Sequence, residues 1–212
     1  MLGWLLACAL AGCATSTRRD ARTAAHPDIA RPRPSCRTNV RLLAAAAHKP
    51  QGAILATASG GFAMVWAEQA ERATLRFLLV DRDGGPRSPS AEVVDRGAPL
   101  TPLDVHLVGE AAYEIAWREG ADGAGKTFSR QVDARGRPRT DVVDAKPALG
   151  TPPPSACAPA GAALRCKTSN DAPIELPADA SIVSEHIGQD GAAVIGADAE
   201  GLKLFVQACA KE

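Results

Sequence analysis

A tryptophan-marked repeat constrains the fold of this chain more than any other sequence feature. Trp66 ends an apolar run, and Gly85 follows it by nineteen residues; Trp117 and Gly136 are separated by the same nineteen residues. Between each tryptophan and its glycine there is a polar break and then a second apolar run. Short apolar runs divided by polar breaks and glycine turns are typical of consecutive antiparallel strands. The sequence therefore predicts sheet units that recur along the chain.

Runs of this kind, separated by Gly, Pro and Asp, divide the chain into four strand groups. The first group is predicted at Ala53–Ala58, Phe62–Glu68, Thr74–Val80 and Ala91–Val94. The second is predicted at Asp104–Val108, Tyr113–Arg118, Thr127–Val132 and Asp141–Val143. The third, which has no tryptophan, is predicted at Ser155–Ala158, Ala162–Lys167 and Pro173–Leu176. The fourth is predicted at Ser181–Ile187, Ala192–Ile195 and Leu202–Ala208.

The segment Asn39–His48 fits either a helix or a strand. Its four alanines favour a helix by intrinsic propensity. The stretch around it is similar to residues 92–108, which run from the last strand of the first group to the first strand of the second, and this favours a strand at Asn39–Leu43. We adopt the strand, because tertiary context often overrides propensity.

The pattern G-F-x-x-x-W, then a strand, then D-x-x-G-x-P resembles repeats of exported bacterial β-propeller proteins, over about residues 53–145. The resemblance implies an all-β fold, a small β-propeller of about four blades whose amino-terminal strand closes the last blade. The alternative is a two-sheet β-sandwich made from the same strands. Because propellers carry many unrelated activities, the resemblance implies a fold and no particular activity.

The chain opens with MLGWLLACALAGC, whose apolar run is too short to span a bilayer as a helix and is typical of a targeting segment. Leu10–Cys13 resembles the lipobox of bacterial lipoproteins. That resemblance implies cleavage before Cys13, acylation of its thiol by a fatty acid such as palmitate, and anchoring in the bacterial cell envelope, at the outer membrane or the periplasmic face of a membrane. The alternatives are an ordinary secretory signal and a buried apolar amino terminus.

The predicted signal peptide and lipid attachment divide the chain into three parts. Residues 1–12 are predicted to be the lipoprotein signal peptide. Residues 13–35 comprise the lipidated cysteine and a tether that is rich in Arg and Pro and lacks apolar periodicity, so we expect it to be disordered. Residues 36–212 form the all-β repeat domain.

Four cysteines, Cys36, Cys157, Cys166 and Cys209, remain after the signal and Cys13 are set aside. In an exported chain they most simply form two disulfides, with three possible connectivities. The short separation of Cys157 and Cys166 favours that pair, which leaves Cys36 with Cys209 to join the two ends of the domain. A four-cysteine zinc site is the alternative, but no CxxC spacing supports it, and we predict no metal.

Two motifs resemble ligand-binding loops. Gly120–Thr127 matches the phosphate-loop pattern GxxxxGK[ST], which requires a strand before it and a helix after it. The residues that follow alternate as a strand does, so we predict a hairpin loop instead. Asp81–Glu92 resembles a calcium loop, but Pro86 stands where such loops need glycine, and we predict a turn capped by Asp81.

Composition and motifs limit the predicted function. With 24 Lys+Arg against 24 Asp+Glu, no net charge favours nucleic acid. The four histidines show no metal-binding or triad spacing, and the two repeat tryptophans are predicted to pack in the core. We therefore predict no cofactor and no catalytic residue. The expected role is binding or scaffolding of an envelope protein or a glycan; the alternative is a hydrolase with its site in the central channel.

Overall fold

The computed structural model describes residues 36–45, 51–120, 125–145, 155–161, 163–167, 173–177, 179–188 and 191–209. Within these ranges the chain is all-β, and its strands form four antiparallel sheets, here named I to IV. Over the same ranges, no helix has the length and apolar character that crossing a membrane requires.

Each sheet consists of strands that follow one another in sequence, apart from one strand. Sheet I contains β2 (Gln51–Ala56), β3 (Phe62–Gln69), β4 (Ala73–Val80) and β5 (Ala91–Arg96). Sheet II contains β6 (Leu100–Val108), β7 (Ala112–Glu119), β8 (Lys126–Asp133) and β9 (Val143–Asp144). Sheet III contains β10 (Cys157–Ala160), β11 (Ala163–Cys166) and β12 (Ile174–Pro177). Sheet IV contains β13 (Ser181–Gly188), β14 (Gly191–Asp198), β15 (Gly201–Cys209) and, from the other end of the domain, β1 (Cys36–Ala45).

The amino-terminal strand completes the carboxy-terminal sheet, as the sequence predicts. β1 pairs antiparallel with β15 from Cys36 opposite Cys209 to Ala45 opposite Gly201, with one irregularity between Leu42 and Ala44. The helix considered for this segment is wrong over residues 39–45, because each of them is in the strand. Residues 46–48 of that prediction lie outside the described residues.

The predicted strand groups correspond to the observed sheets, but several boundaries differ. The first strand of sheet I starts at Gln51 and ends at Ala56, because Thr57 accepts hydrogen bonds that form a turn. β6 starts at Leu100, four residues before its predicted start, and accommodates Pro102 beside a bulge. The short strands β9 and β10 each begin two residues later than predicted.

Three apolar cores join the four sheets in the order II, I, IV, III. The core between sheets I and II includes Val65, Phe77 and Trp117. The core between sheets I and IV includes Trp66, Leu204 and other side chains from the opposite face of sheet I. The third core lies between sheets IV and III. Sheets I and IV are thus covered on both faces, which explains why Phe62–Ala67 is buried without interruption.

The two tryptophans of the repeat occupy matching positions in the packing. Trp66 in sheet I faces sheet IV, and Trp117 in sheet II faces sheet I, each at most 2 % exposed. Each indole N–H donates to the carboxylate two residues further along its own strand, Glu68 at 3.2 Å and Glu119 at 3.3 Å. An arginine pairs with each carboxylate in turn, at 3.3 and 2.9 Å. The prediction that both indoles pack in the core is confirmed.

The turns after β4 and β8 are also equivalent. Asp81 Oδ1 accepts the N–H of Asp83 and Gly85 at 2.9 and 2.7 Å, so the predicted aspartate-capped turn is confirmed. Asp133 Oδ1 accepts two backbone N–H groups in the same way, at 2.8 and 2.9 Å. By this geometry Gly84, with φ of 82°, is the partner of Gly136, with φ of 76°. The equal spacing from the two tryptophans matches Gly85 with Gly136, and this match is wrong by one residue. The reason is that the β7–β8 hairpin is one residue longer than the β3–β4 hairpin.

These turn glycines allow neighbouring sheets to approach each other. A Cβ built on Gly84 would lie 3.2 Å from Val206 of sheet IV, and one on Gly136 would lie 2.3 Å from the Cβ of Ala91 in sheet I. Each turn therefore packs against the sheet that its own tryptophan faces. The backbone conformation and the space both require glycine there.

We predict that Gly136→Ala will destabilise the protein. The change places a Cβ against Ala91 in a left-handed conformation, which should lower the free energy of unfolding by more than about 1 kcal/mol in urea denaturation. The control is Gly97→Ala, where nothing lies within 4 Å of the added Cβ, and its effect should stay within about 0.5 kcal/mol. Equal stability of the two variants would contradict the proposed packing of this turn.

Candidate functional site

An arginine-lined cleft opens where the β8–β9 turn of sheet II approaches the β4–β5 loop of sheet I. Its volume is about 520 Å³. The loop contributes one arginine and two serine hydroxyls, and the turn contributes two more arginines; the lining residues are Arg87, Ser88, Pro89, Ser90, Ala91, Arg135 and Arg137. Guanidinium groups bind carboxylates and phosphates through paired hydrogen bonds, and hydroxyls add donors, so the cleft has the chemistry of an anion site.

The cleft exists because two local structures meet. Gly136 lies over Ala91 and Phe77, which brings the turn against the loop. The flanking residues Arg135 and Arg137 are exposed on either side of that buried glycine. The backbone N–H groups of Arg135 and Arg137 both donate to Asp133 Oδ1, and these hydrogen bonds fix the positions from which the two arginine side chains extend.

The one acidic residue of this turn is already held by the backbone. Burial alone would raise the pKa of Asp133, but hydrogen bonds from the N–H of Arg137 and Arg135 and the charges of Arg137 and Arg139 lower it below its ordinary value. Asp133 is therefore ionised at neutral pH, and its Oδ1 is occupied by the turn. Among the described residues, the guanidinium groups of Arg87, Arg135 and Arg137 have no carboxylate within salt-bridge distance, so the lining keeps an excess of positive charge.

Tyr113 lies in the core between sheets I and II. Its ring packs on Phe77, with ring centroids 5.3 Å apart. Burial raises the pKa of Tyr113, and the charge of Arg87 partly opposes that rise. The phenol consequently stays protonated at neutral pH.

A histidine flanked by two carboxylates lies on sheet II. His106 Nδ1 is 3.3 Å from Asp104, and His106 Nε2 is 3.6 Å from Glu114. The two acids face opposite ring nitrogens, so the three side chains cannot ligate one ion together. Within the part of the chain that the structure describes, the polar contacts given for His106 are with these two carboxylates.

A third cluster surrounds the disulfide of sheet III. Cys157 and Cys166 are bonded, with the sulfurs 2.02 Å apart, which is the local pairing expected from the sequence. Glu185 of β13 lies beside them: its Oε2 is 2.8 Å from Cys157 Sγ, and its Oε1 accepts the N–H of Ala156 at 2.6 Å. The sulfurs and this carboxylate are the one group of potential metal ligands that the described residues bring together.

The other predicted site residues have different outcomes. Cys13 lies outside the described residues. Cys36 and Cys209 are directly opposite in the β1–β15 register, and the side chain of Cys209 lies outside the described residues. The loop that matches the phosphate-binding pattern connects the paired strands β7 and β8, so its interpretation as a hairpin loop is confirmed; residues 121–124 of it lie outside the described residues.

Burial makes His186 of sheet IV a pH-sensitive residue. Desolvation lowers its pKa below the ordinary value, and its ring contacts Phe62 edge-on with centroids 6.1 Å apart. The unfolded chain binds a proton at this histidine more readily than the folded chain does. Stability should therefore fall as the pH drops below about 6.5.

We predict that acidification from pH 7.5 to pH 5 will lower the urea midpoint of the wild type more than that of His186→Gln. The variant removes the group that the folded state holds neutral, so that part of the pH dependence should disappear. The measurement is urea denaturation at both pH values. An identical loss in both proteins would contradict the assignment.

Neither the arginine cleft nor the position of Glu185 beside the disulfide was predicted from the sequence. The available signal for the cleft was that arginines flank both glycine–proline turns: Arg87 in the first, and Arg135 and Arg137 in the second. Their convergence depends on the packing of one sheet on the next, which no sequence spacing expresses. Comparisons with protein-family models, with curated proteins and with solved structures found no match.

Proposed function

We propose that this protein is a lipid-anchored cell-envelope protein that binds an acidic glycan in its arginine cleft. The observation that carries the proposal is the meeting of three arginines and two serines around a cavity large enough for a sugar residue. Charge-assisted hydrogen bonds from guanidinium groups suit the carboxylate of a uronic acid or a phosphate on a glycan.

The cleft is better suited to a glycan than to a protein partner. Protein interfaces centre on buried aromatic or aliphatic anchors. The lining has only Pro89 and Ala91 as apolar residues. The large exposed apolar side chains among the described residues lie on other elements: Val40, Leu42, Leu103, Leu107 and Val143.

A four-bladed propeller is the architecture that we propose for this binding protein. Three features support it over a two-sheet sandwich. The first strands of sheets II, I and IV (β6, β2 and β13) contact one another in that order, as innermost strands around a centre would. Two sheets are covered on both faces, whereas each sheet of a sandwich has one covered face. The equivalent tryptophans and turn glycines also face the neighbouring sheet in the same direction.

The envelope location rests on the sequence Leu10–Cys13 and its resemblance to a lipobox. Acylation of Cys13 would hold the protein at a membrane. Such a position is compatible with an acidic polysaccharide of the envelope as ligand.

We predict that Cys13→Ala will release the protein from membranes. Loss of the thiol removes the site of acylation, so the variant should appear in the soluble fraction after cell lysis, while the wild type sediments with membranes. The control is Cys8→Ala, which leaves the predicted lipid attachment intact and should still sediment. Membrane association of Cys13→Ala would contradict the anchor.

We predict that the triple variant Arg87→Gln/Arg135→Gln/Arg137→Gln will lose binding to a polyuronate. Each charge-assisted hydrogen bond is worth about 1.5–3 kcal/mol, so the dissociation constant should rise by at least about tenfold. Binding is measured by calorimetry with oligogalacturonate, and neutral dextran serves as the uncharged probe. The control Arg165→Gln changes an exposed arginine of sheet III that pairs with Glu175 at 2.9 Å, and it should bind as the wild type does.

Two outcomes would contradict the assignment of the cleft. Equal affinity of the triple variant and the wild type would place polyuronate binding elsewhere on the chain. Absence of binding by the wild type, at low salt where charge interactions are strongest, would reject an acidic glycan as the ligand.

A further inference from the structure

The environment of Glu185 is unusual for the neighbour of a disulfide. Its carboxylate accepts the N–H of Ala156 at 2.6 Å and the hydroxyl of Ser155 at 2.9 Å. Its Oε2 also lies 2.8 Å from the sulfur of Cys157. A disulfide sulfur has no proton to donate, so in the oxidised protein this third contact contributes no hydrogen bond. Only this contact between Oε2 and sulfur is without a proton, and a reduced sulfur or a cation at the sulfur would turn it into a favourable interaction.

We propose that Cys157, Cys166 and Glu185 form a redox-gated binding site for a thiophilic divalent cation such as Zn²⁺. A small-molecule thiol opens the site by exchange: two R–SH reduce the disulfide to two cysteine thiols and are themselves oxidised to R–S–S–R. The cation then binds both sulfurs as thiolates and displaces two protons to solvent. The carboxylate of Glu185 provides the third ligand, and water completes the tetrahedral coordination that Zn²⁺ prefers.

The charges explain why a divalent cation is required. Two thiolates and one carboxylate carry three negative charges within a few ångströms, and their ligand atoms all lie within 4.8 Å of one another. Cys166 is fully buried in the apolar core between sheets III and IV, where an unpaired thiolate is costly. A bound divalent cation would leave one net negative charge. The reduced, metal-free site would keep both thiols protonated.

The backbone holds the ligands in place in both the oxidised and the reduced protein. Cys157 and Cys166 are directly opposite on the β10–β11 ladder, and such cross-strand pairs keep their Cβ atoms close. Rotation of the side chains can therefore separate the sulfurs while the strands remain paired. Ser155 and Ala156 anchor the carboxylate from outside, in the way that outer-shell hydrogen bonds orient metal ligands.

Cobalt binding to the full chain tests this site. The protein is reduced with a phosphine, freed of excess reductant under argon and titrated with Co²⁺, whose thiolate charge-transfer bands report sulfur ligation. The wild type should bind one ion per chain at this site, release two protons per ion and bind more tightly as pH rises. The unreduced wild type should show no such bands. Glu185→Gln should weaken binding by at least about tenfold, since even outer-shell partners contribute about 10–100-fold.

Two control variants separate this site from the rest of the chain. Cys157→Ser/Cys166→Ser retains every other cysteine and should lose the charge-transfer bands. Glu175→Gln removes a carboxylate of sheet III that pairs with Arg165, and it should leave Co²⁺ affinity unchanged. The proposal is overturned if the reduced wild type shows no thiolate–cobalt bands, if the double-serine variant keeps them, or if Glu185→Gln binds Co²⁺ as tightly as the wild type.

Discussion

The antiparallel ladder between β1 and β15 links the two ends of the domain, and the core between sheets I and IV depends on it. Sheet IV needs β1 to occupy the edge of β15, and Leu43 and Ala44 of β1 pack against the core that sheets I and IV share. That core also contains Trp66 and covers the second face of sheet I. Loss of the ladder would expose the edge of β15 and part of this core. A strand that is distant in sequence thus stabilises the centre of the fold.

A second constraint is the recurrence of one packing geometry. In sheets I and II, an indole hydrogen-bonded to a carboxylate faces the neighbouring sheet, and an aspartate-capped turn presents a glycine to that same neighbour. The repeated direction of these contacts places the arginines beside Gly136 over the loop of sheet I. The candidate binding cleft is therefore a product of the repeat: the chain uses the close approach that glycine permits and lines it with the residues on either side.

Much of the fold could be predicted from the sequence, because alternating apolar runs and glycine turns report strands directly. The repeat identified sheets I and II, and the unmatched run at Asn39–Leu43 identified the partner of the last sheet. Strand ends were predicted less well: β6 starts at Leu100 and not at the predicted Asp104, because a bulge accommodates Pro102 within the strand. The sites were the least predictable. Glu185 reaches the disulfide from another sheet, and the cleft arginines converge only through contacts between sheets, so neither has a local sequence pattern.

The pairing of the two ends of the domain is tested most directly by mapping disulfide-linked peptides under non-reducing conditions. In the structure Cys36 and Cys209 are register partners at one end of the β1–β15 ladder, whereas Cys157 and Cys166 are joined within sheet III. Peptides containing Cys36 and Cys209 should be recovered linked to each other. Recovery of Cys36 linked to Cys157 or Cys166 would contradict the ladder and, with it, the arrangement of the four sheets.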